Sequence, residues 1–79
     1  MARVLLFGRL SDVAGWRERD IDSASLGALR DLFASEDEGL AQALAAPGVQ
    51  VALDQAIVRG DATLSARSEV AFLPPMSGG

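Results

Sequence analysis

Cysteine, histidine and lysine are all missing from this sequence, and each absence removes a class of chemistry. Without cysteine there is no disulfide to staple a small fold and no thiolate to act as nucleophile or metal ligand. Without histidine there is no imidazole base, and with both missing no His/Cys metal cluster can form. Without lysine no side chain can accept an isopeptide bond, so chains linked to copies of themselves are not expected. A composition bias of the source genome accounts for the missing lysines equally well. The seven basic residues are all arginine: Arg3, Arg9, Arg17, Arg19, Arg30, Arg59 and Arg67. Aromatic residues make up only 5% of the chain, so the core must come largely from Leu, Val, Ile and Ala. No apolar run approaches the roughly 20 residues that span a bilayer. Val4-Leu5-Leu6-Phe7, between Arg3 and Arg9, is too short for a signal-peptide core. The chain therefore reads as soluble and cytoplasmic, with no membrane partner.

What is present bounds the rest. Seventy-nine residues, 49% of them hydrophobic, make one folded domain near the lower size limit for a self-sufficient core. A net charge of −4 argues against nucleic acid, whose phosphates would be repelled, and favours basic protein partners. Carboxylates are the only acid-base groups left for catalysis, and so short a chain has little room to enclose a substrate. A protein of this kind brings a reacting group to a reaction more readily than it brings a catalytic pocket.

Periodicity predicts the elements. Residues 2–8 read as a strand apolar on both faces, with Val4 and Leu6 on one and Leu5 and Phe7 on the other, as suits a central strand. Leu10 to Ala14 reads as a short helical turn ending at Gly15. Residues 16–21 read as an edge strand, since charge on both faces discourages unwanted pairing. Ser25 caps a helix carrying Leu26, Leu29, Leu32 and Phe33. Ser35-Glu36-Asp37-Glu38 reads as an acidic connection to a second helix carrying Leu40 and Leu44, which Pro47-Gly48 ends. Val49 to Leu53 and Ile57-Val58 read as a hairpin about Asp54-Gln55, although that is not a strong turn dipeptide. Arg59-Gly60-Asp61, which also spells an adhesion tripeptide, reads as a turn. Glu69 to Leu73 is the last strand, with Val70 and Phe72 on one face and Glu69, Ala71 and Leu73 on the wetter other. The compact solution is an α+β roll of the ubiquitin-like β-grasp type. Its helices cross one face of a mixed sheet with the first and last strands adjacent in the middle. The domain spans residues 1–73, and residues 74–79 form an extended tail.

That tail, Pro74-Pro75-Met76-Ser77-Gly78-Gly79, points most directly to chemistry. The prolines lack amide donors and favour a stiff, extended exit. From Pro75 to Gly79 the chain reaches at most roughly 17 Å, enough to enter a deep pocket on another protein. Gly78 and Gly79 need almost no width and lead to a carboxylate on Gly79. Activated by ATP as an acyl-adenylate, that carboxylate becomes a thiocarboxylate with a sulfur nucleophile, or an amide with an amine. The residues alone do not choose between the two. A frayed, inert terminus is the bland alternative.

Three internal blocks carry a resemblance: Val4-Leu5-Leu6-Phe7-Gly8-Arg9-Leu10 leading to Gly15, Ser25-Leu26-Gly27-Ala28-Leu29-Arg30, and Val51-Ala52-Leu53-Asp54-Gln55. With them goes the ending Glu69-Val70-Ala71-Phe72-Leu73-Pro74-Pro75-Met76-Ser77-Gly78-Gly79, of the form Phe-x-Pro-Pro-x-x-Gly-Gly. Over essentially its whole length the chain resembles the small subunits of molybdopterin synthases, ubiquitin-like sulfur carriers. The resemblance implies that an ATP-dependent activating enzyme adenylates Gly79 and that a sulfur donor system converts it to a thiocarboxylate. The tail, positioned by Pro74, Pro75, Met76 and Ser77 ahead of Gly78, then enters the large synthase subunit. There the sulfur passes to cyclic pyranopterin monophosphate for the molybdenum cofactor. It implies a heterotetramer of two small and two large subunits, no bound cofactor or metal, and no catalysis by the small subunit alone. Partner contacts carried over by position fall on Phe7, Ile57 and Leu73, core packing being the alternative for Phe7. Two positions depart from the family: Asp54 where Asn is common, and Ser11 where many members carry a basic residue. A related carrier for thiazole, cysteine or tRNA thiolation, a protein modifier, and an interaction module with an inert tail are the alternatives.

Overall fold

The computed structural model describes residues 1–75. Strand β1 (Ala2–Leu6) forms where small and branched apolar residues alternate, burying Ala2, Val4 and Leu6 on one face. It is shorter than the 2–8 run expected. Phe7 still donates its amide to the Phe72 carbonyl at 3.2 Å, but Gly8, at φ +57°, turns the chain away. Helix α1 (Arg9–Ala14) then follows, with Leu10 buried, and closes at Gly15 in the left-handed conformation.

Strand β2 (Glu18–Ile21) is the edge strand expected, but two residues shorter than the 16–21 run. Trp16 leaves the strand to lie half-buried against Phe33, with ring centroids 5.7 Å apart. The Arg19 guanidinium lies over the Trp16 ring at 5.1 Å and also reaches Glu36 at 3.0 Å.

Helix α2 (Leu26–Glu36) starts at Ser25, whose hydroxyl accepts from the Ala28 amide. Leu26, Leu29 and Phe33, at helical spacing, are fully buried. The expected acidic connection over 35–38 shrinks to one residue. α2 runs through Glu36, and α3 (Glu38–Leu44) begins at Glu38. Asp37 serves both ends: its amide donates to Phe33 and its carboxylate accepts from Leu40 at 3.1 Å.

The hairpin of β3 (Gln50–Leu53) and β4 (Ala56–Val58) turns on Asp54 and Gln55, both at positive φ (50° and 72°). That pair is the signature of the tight turn whose twist matches the flanking strands. The bend after β4 takes Gly60 at φ +80°. Residues 62–64 then stitch back beside the start of α2, where Leu26 donates to Ala62 and Leu64 to Ala24. Strand β5 (Glu69–Leu73) has the bounds the sequence predicts.

The strands order as β2-β1-β5-β3-β4, with β1 parallel to β5 and the other neighbours antiparallel. The first and last strands lie side by side in the middle, as expected. Val4, Leu6, Val51, Val70 and Phe72 form the inner face and pack with Leu10, Leu26, Leu29, Phe33, Leu40, Leu44 and Leu64. Aliphatic residues supply most of this core, but Phe33 and Phe72 are its two largest fully buried side chains, edge-on at 6.4 Å. Burying each contributes about 2–3 kcal/mol. No buried side-chain nitrogen or oxygen lacks a hydrogen-bond partner among the described residues.

Candidate functional site: the strand exit and the outer sheet face

Alternation places every second residue of each strand on the face away from the helices, and pairing arranges these residues in rows. At the end where β5 begins, the row holds Asp20, Arg3 and Glu69, with Asp54 beyond them. Arg3 lies 3.5 Å from Glu18 and 3.9 Å from Asp20, in exposed pairs of the kind that contribute little to stability. The middle row runs Glu18, Leu5, Ala71, Ala52 and Ile57 across all the strands. At the end where β5 finishes, Leu73 stands beside Gln50, and Phe7 and Leu73 each follow the last β1–β5 pair, Leu6 with Phe72. The outer face is thus charged at one end and apolar toward the exit of the last strand.

The candidate contact residues fall on this face. Phe7 is 44% exposed and Ile57 51% exposed, whereas Leu73 is half-buried between its neighbours. Core packing of Phe7 is therefore overturned: with Val4 and Leu6 buried inward, alternation sends Phe7 to the face away from the helices. Phe7 and Leu73 lie at the same end of the adjacent central strands. Ile57 shares their face but sits on the far edge strand, with β3 between it and β5. Leu5 and Ala71, both half-buried, continue the apolar surface, while Ala52 on the same row is buried. The sequence reading had Leu5 and Ala71 on this face but gave them no part in it, because neither stands out from its strand's alternation.

Beyond Leu73, Pro74 lies against Gly8 and Pro75 against Gly48. Pro75 also borders a small cavity of about 70 Å³ with Arg9, Leu10, Ala43 and Ala46. Gly8 and Gly48 were missed as parts of the site. Their signal lay in their places, one two residues after the first strand and one two residues before the third. Met76, Ser77, Gly78 and Gly79 fall outside the described residues. The two residues noted as departures have structural work. Ser11 donates its hydroxyl to the Gly8 carbonyl at 2.8 Å, and Asp54 accepts from the Glu69 amide at 2.9 Å. Asn at position 54 would carry the same acceptor and tolerate the same positive φ, so this departure leaves the turn intact.

Among the described residues no group of three acidic side chains is placed to hold a metal ion. Nor is any helix there long and apolar enough to cross a membrane.

A mixed sheet in this strand order, with helices on one face and a parallel central pair, is a ubiquitin-like β-grasp fold, here with a Pro-Pro exit from its middle strand. The chain belongs to the ThiS family, whose sequence profile matches residues 4–79. It is 32% identical over 81 aligned positions to the molybdopterin synthase sulfur carrier subunit of Escherichia coli (strain K12), covering 100% of both chains. The crystal structure of SAMP1 from Haloferax volcanii superposes with a TM-score of 0.76 at 25% identity, over 99% of this chain and 98% of that one. The solution structure of the small archaeal modifier protein 1 from Methanosarcina acetivorans shares the fold at a TM-score of 0.85 and 18% identity, over 99% and 95% of the two chains.

Proposed function

We propose that this chain is a sulfur carrier of the molybdopterin synthase type, working in the cytoplasm with its tail as the reacting group. The observation that carries the reading is the end-to-end match to the Escherichia coli sulfur carrier subunit. The apolar outer face beside the exit supports it. An oxygen of the Gly79 carboxylate attacks the α-phosphate of ATP on an activating enzyme, and pyrophosphate leaves. Hydrosulfide supplied by a donor system then attacks the acyl carbon and displaces AMP, leaving a thiocarboxylate. The apolar surface around Phe7, Leu73 and Ile57 docks on the large synthase subunit, and the tail delivers its sulfur there to cyclic pyranopterin monophosphate. Two small and two large subunits make up the assembly. The carrier binds no cofactor of its own; ATP belongs to the activating step.

A second reading, a modifier joined to lysines of other proteins, is favoured by the likeness to SAMP1 from Haloferax volcanii. One experiment separates the two. Intact mass of untagged protein from its native host should show one oxygen of Gly79 replaced by sulfur. An unmodified mass that persists with ATP, activating enzyme and sulfur donor, together with high-mass conjugates that need Gly79, would favour the modifier. Adding one residue after Gly79 should abolish cofactor synthesis while leaving the fold intact. Full activity of an untrimmed, extended protein would overturn the mechanism.

A further inference from the structure

Both prolines of the exit rest on glycines: a side chain at Gly48 would force a shift, and one at Gly8 would be tighter than ordinary contact. A Cβ at Gly48 would stand 2.9 Å from the Cβ of Pro75, and one at Gly8 would stand 3.0 Å from the Cγ of Pro74. Two carbons at such separations are well inside the roughly 3.5–4.0 Å of comfortable contact. Gly8 follows β1 and Gly48 precedes β3, and these strands flank β5 on either side. The chain leaving β5 therefore passes between two turns that each present bare backbone to it.

We propose that Gly8 and Gly48 are positioning residues: they form a seat for Pro74 and Pro75 that sets the direction in which the tail leaves the fold. This rests on the reading of the tail as the reacting segment. Proline already fixes φ, so holding the two rings removes much of the freedom that remains at the exit. That ordering is then complete when the domain folds, and is not charged against binding when a partner's active site takes in the tail. Misaiming a reacting group by even an ångström lowers rates steeply.

The fold supplies its own control. Gly8 and Gly48 have φ of +57° and +89°, so an alanine there is strained by the backbone alone. Gly15 and Gly60, both at φ +80°, carry similar backbone strain but have nothing within 4 Å of a new Cβ. The comparison between these pairs isolates contact with the tail from strain.

The experiment uses the untagged full-length chain with the ATP-dependent activating enzyme of its source organism, reading pyrophosphate exchange that requires Gly79. Gly48→Ala should lower kcat/KM on the order of tenfold relative to Gly60→Ala, with both variants fully folded by circular dichroism. Pro75→Gly, which removes the seated ring without touching the α3–β3 turn, should lose a similar factor. The double variant should then be no worse than Pro75→Gly, because the clash has lost its partner. Nuclear Overhauser contacts between Gly48 Hα and the Pro75 ring should appear in the wild type and in Gly60→Ala, and vanish in Gly48→Ala. Exchange by Gly48→Ala at the rate of Gly60→Ala would overturn the proposal, as would single losses that multiply in the double variant. So would absence of the Gly48–Pro75 contacts from the wild type. A wild-type chain that supports no exchange at all would contradict the carrier reading instead, and the Overhauser contacts would still decide the seat.

Discussion

Asp61 stands 34 positions from the helix amide it satisfies. Its carboxylate accepts from Gly27 and from Ala62, both at 2.8 Å, so it caps the first turn of α2 from outside while Ser25 caps it from within. The first amides of a helix have no partner inside it, and a carboxylate there also faces the positive end of the helix dipole. Asp61→Ala should therefore destabilise the domain by about 1–2 kcal/mol, read from urea denaturation with an unchanged m-value. Loss of less than a few tenths would show that Ser25 and solvent suffice. In the sequence Asp61 reads only as the end of the Arg59-Gly60-Asp61 turn. Ser25 is legible because it precedes its own helix; Asp61 is not, because the chain between it and α2 must fold first.

The elements were legible to different degrees, for physical reasons. β5 comes out of the sequence with its bounds intact, because Val70 and Phe72 alternate cleanly and Pro74 has no amide to continue the ladder. β2 does not, because Trp16 gains more by packing on Phe33 than by extending an edge strand. The connection between α2 and α3 looks four residues long when only charge is read, yet Asp37 alone closes one helix and opens the next. The β3–β4 turn was visible in place but not in conformation. Asp54 tolerates positive φ, whereas Gln55 holds φ +72° at a cost, carried by the pairing on either side. Gln55→Gly should relieve it and raise stability by about 0.5–1 kcal/mol, seen as a higher thermal midpoint. A lower midpoint would mean that the Gln55 side chain contributes more than the strain costs.

Across the whole molecule the two sheet faces divide the labour. The inner face holds the core, so changes there act on folding. The outer face carries Phe7 and Ile57 exposed, so under the proposed function changes there act on association. Phe7→Asp and Ile57→Asp should each alter stability by no more than about 0.5 kcal/mol. Each should weaken binding to the large synthase subunit by tenfold or more, about 1.4 kcal/mol, in titration calorimetry. Unchanged affinity for either would remove that residue from the docking surface.

The sequence by itself determined the class of fold, because hydrophobic periodicity and caps are local properties of neighbouring residues. It also held the ending from Leu73 to Gly79, which needs no folding to be read. Only the tertiary structure decided which residues share a surface. Phe7, just past β1, Ile57 on β4 and Leu73 on β5 are far apart in the chain and share one face through strand pairing alone. The two exit prolines find their glycines for the same reason: Gly8 and Gly48 flank the end of β5 only after β1 and β3 have closed on it from either side.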